Sequence, residues 1–174
     1  MMFDPKILED VMPDKLLDSH LRLRPLDVQD FKRNFLGLLS QLTVVGHLDD
    51  EDAFIRQFSR MKEAKTYYII VIEDSTTNKV VAATTLFLEY KFIHSNGLRG
   101  RIEDVVVDDK YRGKKLGHII VSVASHVAKK LGCYKLSLDC RDALIPFYSC
   151  IGFVKEEGRG NMLVQRFQDK PTNP

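Results

Sequence analysis

The chain has 174 residues, 44% of them hydrophobic, which is enough for one domain with a proper core and too little for two. A formal net charge of +2 gives no general attraction to nucleic acid, so any basic patch has to be judged locally. Cys133, Cys140 and Cys150 are an odd number without CxxC spacing, which points to reduced thiols rather than a disulfide frame or a zinc site.

Residues 1–18 hold scattered apolar positions, Phe3, Ile7, Leu8 and Val11, and read as a short helical arm or a loose end. Acids and prolines stand there where a signal peptide needs a basic start and an unbroken apolar core. No apolar run reaches membrane-spanning length, so a soluble cytoplasmic protein is expected. Residues 20–24 alternate, with Leu21 and Leu23 on one side and Pro25 as a stop, and predict a first strand. Asp27 stands at an N-cap position before Val28, Phe31, Phe35, Leu38 and Leu39, whose spacing predicts one amphipathic helix ending near Leu42. Residues 43–47 read as a loop, and Asp49 and Asp50 start a second helix with Phe54, Phe58 and Met61 on its inner side. Residues 67–73 are β-branched and aromatic, 74–78 are turn-forming, and 80–93 make a long return arm. A break at Ser95-Asn96-Gly97 leads into a strand over 101–107.

Leu116, Ile119, Ile120, Val123, Val127 and Leu131 mark the buried side of a long helix, closed by Gly132. A strand over 134–140 follows, then a short helix over 143–149 that tolerates Pro146 only in its first turn. Two closing strands are expected at 151–156 and 161–167. Early hairpins and a later strand–helix–strand crossover predict an α/β (α+β) fold, a mixed, mostly antiparallel sheet flanked by helices. The domain runs from 19 to 168, between the arm at 1–18 and a polar tail at 169–174.

The stretch from Ile102 to His118 is the focus of the chain: a hydrophobic strand, a short basic loop with glycines, and the first turn of an apolar helix. A helix N-terminus just past a strand end offers unpaired N–H groups and the positive end of the helix dipole to an anion. Arg112, Lys114 and Lys115 add charge, and Gly113 and Gly117 allow close approach to the backbone. Neither the Walker spacing nor a dinucleotide fingerprint is present. Basic residues at a helix N-terminus oppose the dipole, so a plain solvated turn explains them poorly.

With Phe147-Tyr148-Ser149-Cys150-Ile151-Gly152-Phe153 at the right distance downstream, this stretch resembles the GNAT superfamily of acetyl-CoA-dependent N-acetyltransferases. That superfamily's pyrophosphate loop runs Q/R-x-x-G-x-G/A, and its later signature is FYxxxGF. Arg112 and Gly117 match the loop ends, Lys115 stands where the middle glycine usually is, and the second signature matches in full. The resemblance narrows through Leu42-Thr43-Val44-Val45-Gly46, Lys91-Phe92-Ile93-His94, Ile102-Glu103-Asp104-Val105 and Gly132-Cys133-Tyr134-Lys135. In that order, over about residues 20–167, these are similar to the eukaryotic glucosamine 6-phosphate N-acetyltransferases. One departure is Leu144, where that group commonly has an asparagine beside CoA; leucine makes no such hydrogen bond.

The resemblance implies a single-domain GNAT fold and acetyl transfer from acetyl-CoA to glucosamine 6-phosphate by direct attack in a ternary complex. It implies a step in UDP-N-acetylglucosamine synthesis, a homodimer with the sugar site near the subunit interface, and no metal. By resemblance, Val105, Val106, Val107, Arg112, Gly113, Lys114, Lys115, Leu116, Gly117, His118 and Tyr148 hold the cofactor. Glu103, Asp104, Asp139 and Tyr148 are the candidate catalytic residues. Thr43, Lys91, Phe92, Ile93, His94, Tyr134, Lys135 and Arg166 join Glu103 and Asp104 around the sugar phosphate, with Lys135 or Arg166 acting across the interface.

The residues themselves carry plainer readings. Period-two alternation sends Glu103 and Asp104 to opposite faces of their strand, and an ion pair with Arg101 or Lys91 would account for a buried acid. Asp139 serves equally as a cap for the following helix, and Tyr148 as a packed core tyrosine. Cys140 and Cys150 read as small buried residues, since direct attack needs no cysteine. Two other functions compete. Another GNAT acceptor, a polyamine or protein lysine, would want an acidic groove, and an idle CoA-binding module finds support only in Leu144.

Overall fold

Runs of β-branched and aromatic residues build one sheet in the computed structural model, which describes residues 1–11, 17–46, 49–158 and 163–165. The elements run α1 (Lys6–Glu9), β1 (Leu21–Pro25), a 3-10 turn (Val28–Phe31), α2 (Phe35–Leu39), α3 (Glu51–Ala64), β2 (Tyr67–Asp74) and β3 (Lys79–Tyr90). Then come α4 (Ile93–Asn96), β4 (Leu98–Val107), a 3-10 turn (Asp109–Tyr111), α5 (Leu116–Lys130) and β5 (Cys133–Ser137). A last 3-10 turn (Asp142–Leu144) runs into α6 (Ile145–Ser149). The chain divides into two compact units, Met1–Leu138 and Asp139–Pro174.

In the first unit the strands lie in the order β1-β2-β3-β4-β5, antiparallel except for the parallel pair β4–β5. The parallel pair follows from α5, which fills the crossover such strands require. One sheet face, with Ile69, Val71, Ala83 and Val106, packs with Phe35, Leu38 and Phe58 of α2 and α3. The other carries Ile70, Ile72, Leu86 and Ile102 toward α5, whose Ile120, Val121, Val123 and Val127 are almost fully buried. Gly132, at φ +82, closes α5 in the left-handed conformation that a helix end favours.

Three expectations are corrected. The single helix expected over 28–42 is a 3-10 turn and a short α2, broken at Asn34 in the left-handed region at φ 64. At the break the Arg33 carbonyl accepts from the Val80 N–H of β3 at 2.9 Å and is lost to the helical ladder, while the fully buried Asp30, which accepts two bonds from Arg24 at 2.7 Å and one from the Asp27 N–H at 2.8 Å, caps the start of the 3-10 turn. The strand expected at 151–156 does not form. The N–H groups of Ile151 and Phe153 bond back to the Tyr148 carbonyl, and that of Gly152 to Ser149, so the donors a strand would use are spent on the end of α6. Cys140 and Cys150 are exposed rather than buried, because one follows the end of β5 and the other ends the five-residue α6; Cys133 is half-buried. Most of the last expected strand, at 161–167, lies outside the described residues, and 163–165 have no regular structure.

Candidate functional site

β4 carries the centre of the site. Ala83 pairs with Val106, yet Thr85 pairs with Glu103, so Asp104 and Val105 together oppose the single residue Thr84. This is a β-bulge, and Asp104 takes its left-handed position at φ 53. Thr84, fully buried, donates from its hydroxyl to the Glu103 carbonyl at 3.4 Å. The bulge overturns the alternation expected for the two acids. Glu103 pairs with Thr85, and Asp104 lines one cleft with Thr85 and Ala83, so both acids belong to the α2/α3 side.

There Asp104 stands on a cleft of about 220 Å³ walled by Phe35, Leu39, Phe54, Phe58, Met61 and Ala83. These apolar walls, and after them the charge of Glu103, hold the Asp104 carboxyl above the usual carboxylate range against the hydrogen bond from Thr85. Glu103 accepts a short charged hydrogen bond from Arg101, the plain partner its sequence context offered, whereas Lys91 pairs with Glu89 at 2.7 Å. Thr85 is the residue that sequence reasoning missed here; its position opposite the acids appears only with the bulge.

Past β4, the turn Asp109–Tyr111 leads to the basic loop. Arg112 pairs with Asp109 at 2.5 Å, both well exposed, and the Lys114 ammonium lies 5.1 Å from the centre of the Tyr111 ring. Gly113 takes φ +82 with open space where a Cβ would be, so backbone conformation and not crowding favours glycine. Lys115 takes φ 61, which a glycine would adopt without strain, and caps α5. Leu116 is buried, and the first turn of α5, through Gly117 and His118, faces its N–H groups along the direction that binds anions.

Two tethers hold this turn. The Tyr111 hydroxyl donates to Asp74, 3% exposed, which also accepts from the Thr76 hydroxyl at 2.6 Å and the Thr76 N–H at 2.8 Å. The hydroxyls of Thr76 and Tyr111 hold the Asp74 carboxyl far below its ordinary range. The second tether is Gln41, whose amide donates to Asp108 Oδ2 at 3.0 Å and accepts from the Asp109 N–H at 3.0 Å. Thr43 stands just beyond it in an exposed loop.

The remaining expected sugar-phosphate residues gather at the opposite end of β4. His94 and Ser95 take left-handed backbone angles in α4, and the His94 ring stacks on Tyr134 with centroids 4.2 Å apart. Phe92 is 98% exposed, Ile93 is exposed, and Arg99 donates to Ser137 at 2.7 Å beside the Lys91–Glu89 pair. Lys135 lies on β5 opposite Arg99. The structure therefore divides the set: Thr43 lies near Asp108, and His94, Tyr134 and Lys135 lie near Leu98, about 30 Å of strand away at about 3.3 Å per residue. Arg166 lies outside the described residues.

In the second unit, Asp139 precedes the 3-10 turn, and Leu144 is exposed at the start of α6. Tyr148 packs edge-on against Phe147 and Phe153, with centroids at 4.9 and 6.0 Å. Burial, and then the neighbouring Cys140, raise its hydroxyl above the ordinary tyrosine value, so it is a donor at neutral pH.

The profile described as Acetyltransferase (GNAT) family matches residues 32–153, more than half of the chain. A Drosophila melanogaster protein named "Probable glucosamine 6-phosphate N-acetyltransferase" is 48% identical over 87% of this chain and 69% of its own. Glucosamine 6-phosphate N-acetyltransferase 1 of Dictyostelium discoideum is 38% identical over 81% of this chain and 89% of its own. The crystal structure of glucosamine-6-phosphate N-acetyltransferase from Arabidopsis thaliana superposes with a TM-score of 0.79 at 34% identity, covering 86% of this chain and 99% of that one. With the bulged β4, the basic loop at the head of α5 and these matches together, the chain belongs to the GNAT acetyltransferase family, in the group of the glucosamine 6-phosphate N-acetyltransferases.

Proposed function

We propose that this chain transfers the acetyl group of acetyl-CoA to the 2-amino group of glucosamine 6-phosphate, giving N-acetylglucosamine 6-phosphate and CoA. The observation that carries the reading is the course of β4, which bears both acids at one bulge and ends in the basic loop before α5. The agreement of the relatives' names supports the acceptor.

Glu103 and Asp104 line the sugar-phosphate and acetyl sites, and the groups around them have tasks their chemistry suits. The first-turn N–H groups of α5 hold the CoA diphosphate, with Lys114 and Lys115 adding attraction at longer range. The Val105 N–H, set by the bulge, polarises the thioester carbonyl as its oxygen gains charge. The free amine attacks the carbonyl carbon, the carbon–sulfur bond breaks, and the amine gives up a proton. Asp139 orients the amine or takes that proton, and the Tyr148 hydroxyl donates to the leaving thiolate. Lys91, His94, Lys135 and Arg166 bind the sugar phosphate, with Thr43, Phe92, Ile93 and Tyr134 around it. The division of this set along β4 supports a homodimer in which one chain's β4–β5 end completes the other's site. The product amide serves UDP-N-acetylglucosamine synthesis, and the cytoplasm is its compartment; among the described residues no helix is long and apolar enough to cross a membrane.

The test is CoA release by the purified protein with acetyl-CoA and glucosamine 6-phosphate, beside glucosamine and spermidine. Release with the sugar phosphate alone is expected. Faster release with spermidine would replace the acceptor, and no release with any amine, despite acetyl-CoA binding, would make the chain an idle CoA-binding module.

A further inference from the structure

Outside the groups given a task above, one side chain joins two loops of the site. Gln41 stands two residues past the end of α2 and opens the exposed loop that carries Thr43. Its two hydrogen bonds, to the Asp108 carboxylate and from the Asp109 N–H, reach across 67 and 68 residues of chain. The other oxygen of Asp108 accepts from the Lys110 N–H at 2.9 Å, so one carboxylate both closes the turn Asp109–Tyr111 and receives Gln41. That turn is fixed elsewhere by the Asp108 N–H bonding to the Val81 carbonyl at 2.9 Å and by the Tyr111–Asp74 bond. It runs directly into Arg112–Lys115. Gln41 is thus the link between the Thr43 loop and a rigid bracket that sets the basic loop.

We propose that Gln41 is a positioning residue that couples the two substrate sites, so that filling one favours filling the other. The proposal rests on the acceptor reading above. Both of its bonds are at the surface, where they add little to global stability and act chiefly by fixing one loop relative to the other. A ligand that orders either loop then lowers the ordering cost left for the second, and linkage makes the effect reciprocal.

The polarity of the clamp supplies its own control. Gln41→Glu sets a carboxylate against Asp108 and breaks the clamp. Adding Asp108→Asn restores it with donor and acceptor exchanged, and asparagine still caps the turn. Gln41→Ala removes both bonds without adding charge. Calorimetry with CoA and glucosamine 6-phosphate, a pair that cannot react, gives the factor by which each ligand tightens the other. About fivefold or more is expected for the unaltered protein. It should fall toward one in Gln41→Glu and Gln41→Ala and return in the Gln41→Glu/Asp108→Asn pair. A factor of one in the unaltered protein, a factor that survives Gln41→Ala, or failure of the double variant to recover overturns the proposal. If the unaltered protein transfers no acetyl group to glucosamine 6-phosphate, the acceptor reading falls and takes the coupling with it; normal transfer with unchanged coupling removes only the role of Gln41.

Discussion

Tyr111→Phe deletes one oxygen from the bracket beneath the basic loop and leaves the ring, with Lys114 over it, in place. The lost bond runs to Asp74, a carboxylate 3% exposed, whose Oδ2 takes the Tyr111 hydroxyl while Oδ1 is held by Thr76. Hydrogen bonds to charged groups are worth about 1.5–3 kcal/mol, and burial leaves little water to replace this one, so a loss of about 2 kcal/mol is expected. For a chain of this length that is a fall of about 4–8 °C in Tm. The pH dependence has a definite sign. Asp74 is held below its unfolded value, so its stabilisation is full above about pH 4 and is lost as pH falls through the folded value. The gap between the unaltered protein and Tyr111→Phe should therefore be level from pH 7 to pH 5 and close only in strong acid. Urea unfolding across that range measures it. A gap below about 0.5 kcal/mol, well under the worth of a charged hydrogen bond, or one that changes between pH 7 and pH 5, would refute the reasoning.

Asp30→Asn leaves Arg24 without its bidentate partner in a site where Asp30 is fully buried, and about 3–5 kcal/mol of unfolding free energy should be lost; a loss below 1 kcal/mol in urea titration would contradict the assignment. Glu103→Gln removes the like charge beside Asp104, so the Asp104 pKa, followed by carbon-detected NMR, should move down toward the ordinary carboxylate value, and no movement would leave the apolar walls as its whole cause. Tyr148→Phe should lower kcat tenfold or more, the scale of a lost general acid, while acetyl-CoA affinity changes far less; an unchanged kcat would leave Tyr148 a packing residue.

Local signals carried most of the fold. The Asp50 cap of α3, whose side chain accepts from the Ala53 N–H, is legible because it involves only neighbours in sequence. So are the β2–β3 hairpin and the buried side of α5, where residue type and spacing agree. The break at Asn34 is hidden because the bond that marks it, from the Val80 N–H to the Arg33 carbonyl, comes from outside the helix. The failure at 151–156 has the same character: the residues suit a strand, but their backbone donors bond to the preceding helix. In the site, the basic loop was readable as a strand–loop–helix junction. The common side of Glu103 and Asp104 was not, because counting by twos assumes an uninterrupted ladder. Thr85, Gln41 and Asp74 were silent for a related reason, since their importance lies in partners 19 to 68 residues away that no local pattern announces.

The bulge in β4 also bears on how this strand can change over generations. Glu103 and Val106, three residues apart, serve the same side of the sheet, and only the extra residue between them makes this possible. Deleting one residue there would restore the plain ladder, with Glu103 still opposite Thr85 and Val106, 5% exposed in the α2/α3 core, still opposite Ala83 on its present side; what would go is the left-handed position that holds Asp104. Point substitutions alter the acids one at a time, whereas loss of the bulge residue would change the site and spare the core beneath it. The extra residue between Ile102 and Asp108 is therefore kept by the chemistry at the bulge and not by the packing of the sheet.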